Sequence, residues 1–277
     1  MNLLPTVPFG NRRITRMIIG GNPFRGNSHL SEDLSREMEA YFTVERIKQT
    51  LFACEQHGIN TVQARGDAMI LACMREYWAE GGTMQFIAQT ASELRDLHAH
   101  VRHLARFGAV GIYVHGTWTD RHFLSGEMAE VADLAKAIRD TGVTVGIGTH
   151  IPEVIMQAEE KGWDVDFYMA CLYNINRRTR ESSLVNGKMT LYEDDLFVHD
   201  DRFKMLATIR QTPKTCLAFK VFGAARLCDT PDGVRDALLT AYNGIKTQDG
   251  CIIGMFPKHQ DQVAENAQLV RGLLGEA

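Results

Sequence analysis

Eight short apolar runs, each followed by a segment of helical periodicity, recur along the 277-residue sequence. They read RMIIGG (Arg16 to Gly21), TVQAR (Thr61 to Arg65), QFIAQT (Gln85 to Thr90), GIYVHG (Gly111 to Gly116), VTVGIGTH (Val143 to His150), DFYMACLY (Asp166 to Tyr173), CLAFKVF (Cys216 to Phe222) and CIIGMF (Cys251 to Phe256). A strand with one wet face alternates apolar and polar residues, whereas a parallel strand covered on both faces is apolar throughout. The unbroken runs therefore predict a parallel sheet wrapped in helices.

The intervening segments agree with this. Val44, Ile47, Leu51 and Cys54 share one helical face, as do Leu94, Leu97, Val101 and Leu104, and again Met128, Val131, Leu134 and Ile138. Gly58, Gly81, Gly108, Gly142 and Gly162 follow periodic segments, where a chain leaving a helix needs a left-handed residue. Thr230 and Pro231 supply an N-cap and a first helical residue before Val234 to Ile245. Eight strands alternating with helices predict a closed (β/α)8 barrel, read as one domain over residues 1–277. An open doubly wound sheet is the alternative, but no GxGxxG turn follows the first strand to support it.

An apolar fraction of 45% and a charged fraction of 23% suit such a barrel. With a net charge of −4 and scattered Lys and Arg, the chain offers no basic patch for a phosphate backbone, so nucleic acid is not an expected partner. The six cysteines form no CxxC pair and read as reduced core thiols. No stretch approaches the roughly 18 apolar residues of a membrane span, and MNLLPTVPFGNRR has too short an apolar run for a signal peptide. The expectation is a cytoplasmic protein acting on a small molecule, with no membrane partner and an open oligomeric state.

Two connections exceed what a barrel needs, residues 22–42 and 174–202, and both leave C-terminal strand ends. Long connections in compact domains are commonly functional, and that face carries the active sites of such barrels. Polar residues at the strand ends converge there: Asn22 and, in its loop, Arg25 and His29; Gln63, Arg65 and Asp67; Gln89; His115; His150; Cys171, Tyr173 and Asn174; and Lys220. Arg177 opens the basic part of the second long connection. Gln63 and Gln89 lie inside apolar strands, where an amide serves a neighbour across the barrel as readily as a substrate. His115 and His150 end adjacent strands, which favours acid/base work. Lys220, within LAFKVFGA, is costly to bury charged and so requires an anionic partner, a substrate group or a lowered pKa. Tyr173 can serve as an acid or simply pack with a bonded hydroxyl. His115, His150 and a third ligand such as His29 could hold a divalent metal, although no HxH or HExxH spacing is present.

The order of motifs resembles the aldo-keto reductase family over most of the chain. The likeness runs through FGNRRITRMIIGG, similar to that family's N-terminal hairpin and first strand, then HGINTVQARGD, GAVGIYVHG, DVDFYMACLYNINRR and IIGMFPKHQDQVAENAQLV. Glu265 and Asn266 in the last segment resemble the start of that family's phosphate-binding helix, with Lys258 nearby for a phosphate. The resemblance implies an Asp, Tyr, Lys and His tetrad and NADPH as hydride donor. Of the tetrad only the histidine is matched, as His115; Gln63 stands at the Asp position, Gln89 at the Lys position, and no tyrosine lies near Ala68. His150 and Lys220 replace the asparagine and the aromatic residue that would hold the nicotinamide.

The expectation is an aldo-keto reductase-like barrel that has lost standard hydride transfer. It would perform proton-transfer chemistry of lyase, isomerase or hydrolase type on a small polar carbonyl or sugar-like substrate. Lys220, His115, His150 and Tyr173 form the catalytic set, with Gln63, Arg65, Asp67, Gln89, Asn22, His29, Asn174 and Arg177 binding substrate. The alternatives are an NADPH-dependent oxidoreductase with a non-standard proton donor, a metal-dependent enzyme using His115 and His150, and a non-catalytic ligand-sensing barrel.

Overall fold

A computed structural model describes residues 2–177 and 196–275. The chain opens with an antiparallel hairpin, β1 (Thr6–Phe9) and β2 (Arg12–Thr15). Eight parallel strands then close a barrel: β3 (Met17–Gly20), β4 (Thr61–Arg65), β5 (Gln85–Gln89), β6 (Gly111–Val114), β7 (Thr144–Thr149), β8 (Phe167–Cys171), β9 (Thr215–Phe219) and β10 (Gly250–Gly254). Each pairs with its neighbour in sequence, and β10 pairs with β3 to close the ring, Ile252 opposite Ile18. The eight runs of the sequence are these eight strands.

The helices of the described residues lie outside the ring. They are α1 (Glu32–Tyr41), α2 (Val44–Gln56), α3 (Ala68–Ala79), α4 (Leu97–Phe107), α5 (Gly116–Ser125), α6 (Met128–Arg139), α7 (Pro152–Glu160), α8 (Asp201–Gln211), α9 (Pro231–Gly244) and α10 (Gln262–Leu274). The five glycines expected at helix ends all have positive φ. Thr230 caps α9 through Gly233 N–H, with Pro231 as the first helical residue. No helix among the described residues is long and apolar enough to cross a membrane.

The core has two layers. The outer one lies between strands and helices and includes Ile47, Leu51, Leu104, Val131 and Ile138. The inner one fills the barrel with Ile18, Ile87, Tyr113, Phe167, Met169, Leu217 and Ile252, and the hairpin closes its lower end with Val7, Phe9 and Ile14. Glycines make room for the large inner rings. A Cβ on Gly146 would lie 2.3 Å from the Phe167 ring, and one on Gly111 would lie 2.7 Å from Phe9.

Three expectations need correction. Of the six cysteines read as core thiols, Cys228 is exposed and the other five are buried. The connection 22–42 is not a plain loop, because it holds a short turn over Pro23–Arg25 and then α1, packed through Met38 and Phe42. Leu94 is not on the buried face of α4: the helix starts at Leu97, and Leu94 is exposed. Much of the other long connection, 174–202, lies outside the described residues, including the basic stretch beyond Arg177.

Candidate active site

The alternation of a strand sends Gln63, Gln89 and Tyr113 toward the barrel axis above the apolar plug. The Tyr113 hydroxyl accepts a hydrogen bond from Gln63 Nε2 (2.7 Å) and donates one to Gln89 Oε1 (2.8 Å). Burial pushes the Tyr113 phenol well above the ordinary tyrosine range, so this chain of bonds is neutral. A carboxylate and an ammonium at the two Gln positions would place charges here; two amides joined through a phenol satisfy one another without any.

Above this floor His150 follows β7. Its Nδ1 lies 2.7 Å from Asp120 Oδ2, and its backbone N–H donates to the same carboxylate. Asp120 comes from α5, is 0% exposed, and also accepts from the Thr149 hydroxyl and from Asn176 Nδ2 at 2.7 Å. The carboxylate favours the Nδ1–H tautomer, and Asn176 Nδ2 lies 2.9 Å from the same nitrogen. The ring packs edge-on against Phe219, with 5.4 Å between centroids. A Cβ on Gly116 would lie 3.2 Å from His150 Cε1, so the glycine after His115 lets the second histidine sit close to it.

His115 stands at the junction of β6 and α5, one residue beyond the strand. Its Nδ1 is 2.8 Å from Ser92 Oγ, and its backbone N–H donates to the buried Thr90 hydroxyl at 3.0 Å. Both histidines are therefore anchored through Nδ1. Among the described residues, no group of three or more His, Cys, Asp or Glu is gathered to hold a metal ion.

On the side of β4, Arg65 is buried and its Nη2 donates to Glu93. Asp67 caps α3 by accepting from Ile70 N–H at 3.0 Å through Oδ1, while its Oδ2 lies 3.3 Å from Arg25 Nε and 3.6 Å from Arg65 Nε.

The remaining candidates spread around the rim. Lys220 follows β9 with a left-handed φ of 58°, its ammonium 5.9 Å from the centre of the Phe197 ring. Tyr173 packs on the same ring, with centroids 5.0 Å apart, and burial raises its phenol. Asn174 uses its side chain locally, accepting from Asn176 N–H, and Arg177 pairs with Asp201 at the start of α8. Asn22 is exposed and opens the turn before α1. His29, with φ 55°, gives its carbonyl to Arg226. Lys258 forms an ion pair with Glu37 at 2.6 Å, sharing that carboxylate with His259. Glu265 and Asn266 lie in the first turns of α10.

Sequence reasoning did not single out Asp120, Asn176, Tyr113, Ser92 or Glu93. Tyr113 was within reach, since it stands in the same GIYVHG run, two residues before His115. The others come from helix and loop positions whose convergence only the fold reveals.

The molecule is thus a closed (β/α)8 barrel with an N-terminal hairpin and a polar mouth at the C-terminal ends of its strands. No known family profile matches the chain, and no curated protein matches it in sequence. Solved structures do share its fold. A truncated 3-deoxy-D-arabino-heptulosonate 7-phosphate synthase from Thermotoga maritima is 13% identical, with a TM-score of 0.56 over 98% of this chain and 91% of the other. An aldo-keto reductase from Bacillus halodurans is 10% identical, with a TM-score of 0.55 over 99% and 97%. A 3-dehydroquinate dehydratase from Geobacillus kaustophilus is 12% identical, with a TM-score of 0.53 over 99% and 98%. At these identities the likeness is one of fold, shared by barrels of different chemistries.

Proposed function

We propose that this chain is an enzyme, a divergent relative of the aldo-keto reductase barrels, that moves a proton to or from a carbon beside a carbonyl. The substrate is a small polar carbonyl or sugar-like molecule, and the reaction is of lyase or isomerase type. The observation that carries this reading is His150 held by the fully buried Asp120 at 2.7 Å. In this arrangement Asp120 holds the proton on Nδ1, and Nε2 takes the substrate proton as a general base. The carboxylate then stabilises the imidazolium that results. His115, fixed by Ser92, stands beside it as the second proton carrier. Lys220 is assigned to the substrate carbonyl, as a hydrogen-bond donor or Schiff-base nucleophile. Its left-handed backbone, costly for a lysine, is the kind of strain that accumulates at working sites.

The residues that the family resemblance would give to NADPH fit it poorly. Lys258 already has a carboxylate partner in Glu37, which would oppose a phosphate at the same place. Gln63 and Gln89 are engaged with Tyr113, whose raised pKa makes it a poor acid.

Solvent exchange tests the proposal. A panel of ketoacids and keto-sugars is incubated with the protein in deuterium oxide, and loss of the C–H signal beside the carbonyl is followed by NMR. The expected result is exchange that falls at least a hundredfold in His150→Gln. A similar loss is expected in Asp120→Asn, whose amide presents an N–H to Nδ1 and turns the ring to the wrong tautomer. Undiminished exchange in His150→Gln would overturn the assignment. Borohydride trapping separates the two roles of Lys220, since only a Schiff base is reduced to a stable adduct.

A further inference from the structure

The cluster on the β4 side of the mouth is incompletely bonded in a specific way. Three of its buried polar atoms, Arg65 Nη1, Arg25 Nε and Asp67 Oδ2, have no hydrogen-bond partner among the described residues. Arg25 Nε and Asp67 Oδ2 lie 3.3 Å apart, close enough for charge attraction, but they are not aligned as donor and acceptor. A buried donor or acceptor left unbonded has lost its hydration with nothing in return, so folded proteins seldom collect three together without a use for them.

Everything else about the cluster is fixed. Arg65 is more than nine-tenths buried, and Glu93 holds its Nη2. Asp67 Oδ1 is committed to the N-terminus of α3. Arg25 comes from the turn that opens the first long connection, so the cluster lies where that connection meets the end of β4. What remains is a pattern of two cationic donors and one anionic acceptor.

We infer that this cluster binds the carboxylate end of a 2-hydroxycarboxylate. The carboxylate oxygens take the free donors of Arg65 and Arg25, and the hydroxyl on the neighbouring carbon donates to Asp67 Oδ2. A plain carboxylate would satisfy the two arginines and leave the aspartate oxygen unbonded. A phosphate would satisfy the same arginines, but as the bulkier group carrying more negative charge it would be repelled more strongly by Asp67. β4 and β7 are three strands apart on the ring, so a substrate held here reaches across the mouth toward His150, as a sugar acid of several carbons would. The inference deepens the proposed function by naming the anionic end of its substrate, and it rests on that reading of the mouth as the active site.

Glycerate and 3-hydroxypropionate make the test pair, because glycerate alone carries a hydroxyl on the carbon beside the carboxylate. Inorganic phosphate is the third probe. Binding is measured by calorimetry and by the shift in melting temperature. Glycerate is expected to bind at least tenfold more tightly than 3-hydroxypropionate, and inorganic phosphate more weakly than either. Arg65→Lys, which keeps the charge but loses the planar fork, is expected to weaken both carboxylates at least tenfold. Asp67→Asn is expected to abolish the preference between the two acids, a ratio that a purely structural role would leave unchanged. Equal binding of the two acids by the unaltered protein, tightest binding of phosphate, or unchanged affinity in Arg65→Lys would each overturn the inference. His150→Gln is expected to bind glycerate normally. Glycerate binding without His150-dependent exchange would thus remove the proposed function and leave this site standing.

Discussion

Two buried histidines show how the partner of one ring nitrogen decides what an imidazole can do. His100 Nε2 accepts a hydrogen bond from Ala91 N–H at 3.1 Å, and burial pushes its pKa down to about 4. The folded protein therefore holds His100 neutral while an unfolded chain protonates near 6.5. Since the unfolded state binds the extra proton between those values, stability is complete above about pH 6.5 and is lost as pH falls toward 4. The loss expected from this residue is roughly 1–3 kcal/mol. His100→Gln, which keeps an acceptor but cannot protonate, should flatten the fall in denaturant midpoint over that window. His150 differs in its partner, with the Asp120 carboxylate 2.7 Å from its Nδ1. Its position at a strand end marked it in the sequence; Asp120 was not legible. The segment GTWTD carries no apolar pattern that announces burial, yet Gly116, Thr117, Thr119 and Asp120 are buried where α5 packs on β7. Gln63 and Gln89 were legible as a pair, but the hydroxyl that joins them belongs to a third strand.

At the scale of the element, the barrel strands were readable because continuous apolar runs have few other uses in a chain of this composition. α1 was missed because it is amphipathic only weakly in burial, covering Ser35 and Met38. Its start was nonetheless written in local chemistry: Ser31 accepts from Leu34 N–H, and Glu32 and Asp33 fill the first turn. The turn after β9 was not legible either. Lys220, Gly223, Ala224 and Ala225 all have positive φ, and a left-handed conformation costs an alanine roughly 1–2 kcal/mol. Ala225→Gly should relieve that cost, less the extra freedom gained by the unfolded chain, for a net gain of roughly 0.5–1 kcal/mol in a urea titration. Gly146→Ala should act in the other direction. Its Cβ would enter the Phe167 ring at 2.3 Å, where backbone and aromatic ring cannot both yield cheaply. A loss of about 1–3 kcal/mol or more is expected by the same measurement.

Over the whole molecule, the hairpin is the piece that turns a ring of strands into a closed vessel. Phe9 meets Phe167 edge-on at 4.8 Å inside the lower end of the barrel, and Val7 and Ile14 pack beside it. Phe9→Ala should cost roughly 3–5 kcal/mol in denaturant unfolding, the usual price of a large apolar side chain removed from a tight interior. The pairing of β10 with β3 carries a different consequence, one that belongs to the protein's synthesis. The first strand of the ring has its last neighbour only when Gly254 has been made. At about 5–20 residues per second, that leaves β3 with an open edge for roughly 10–50 s on the ribosome. An apolar strand waiting that long is a template for wrong pairing, so the cell's ability to shield Met17 to Gly20 sets how much of this chain arrives folded.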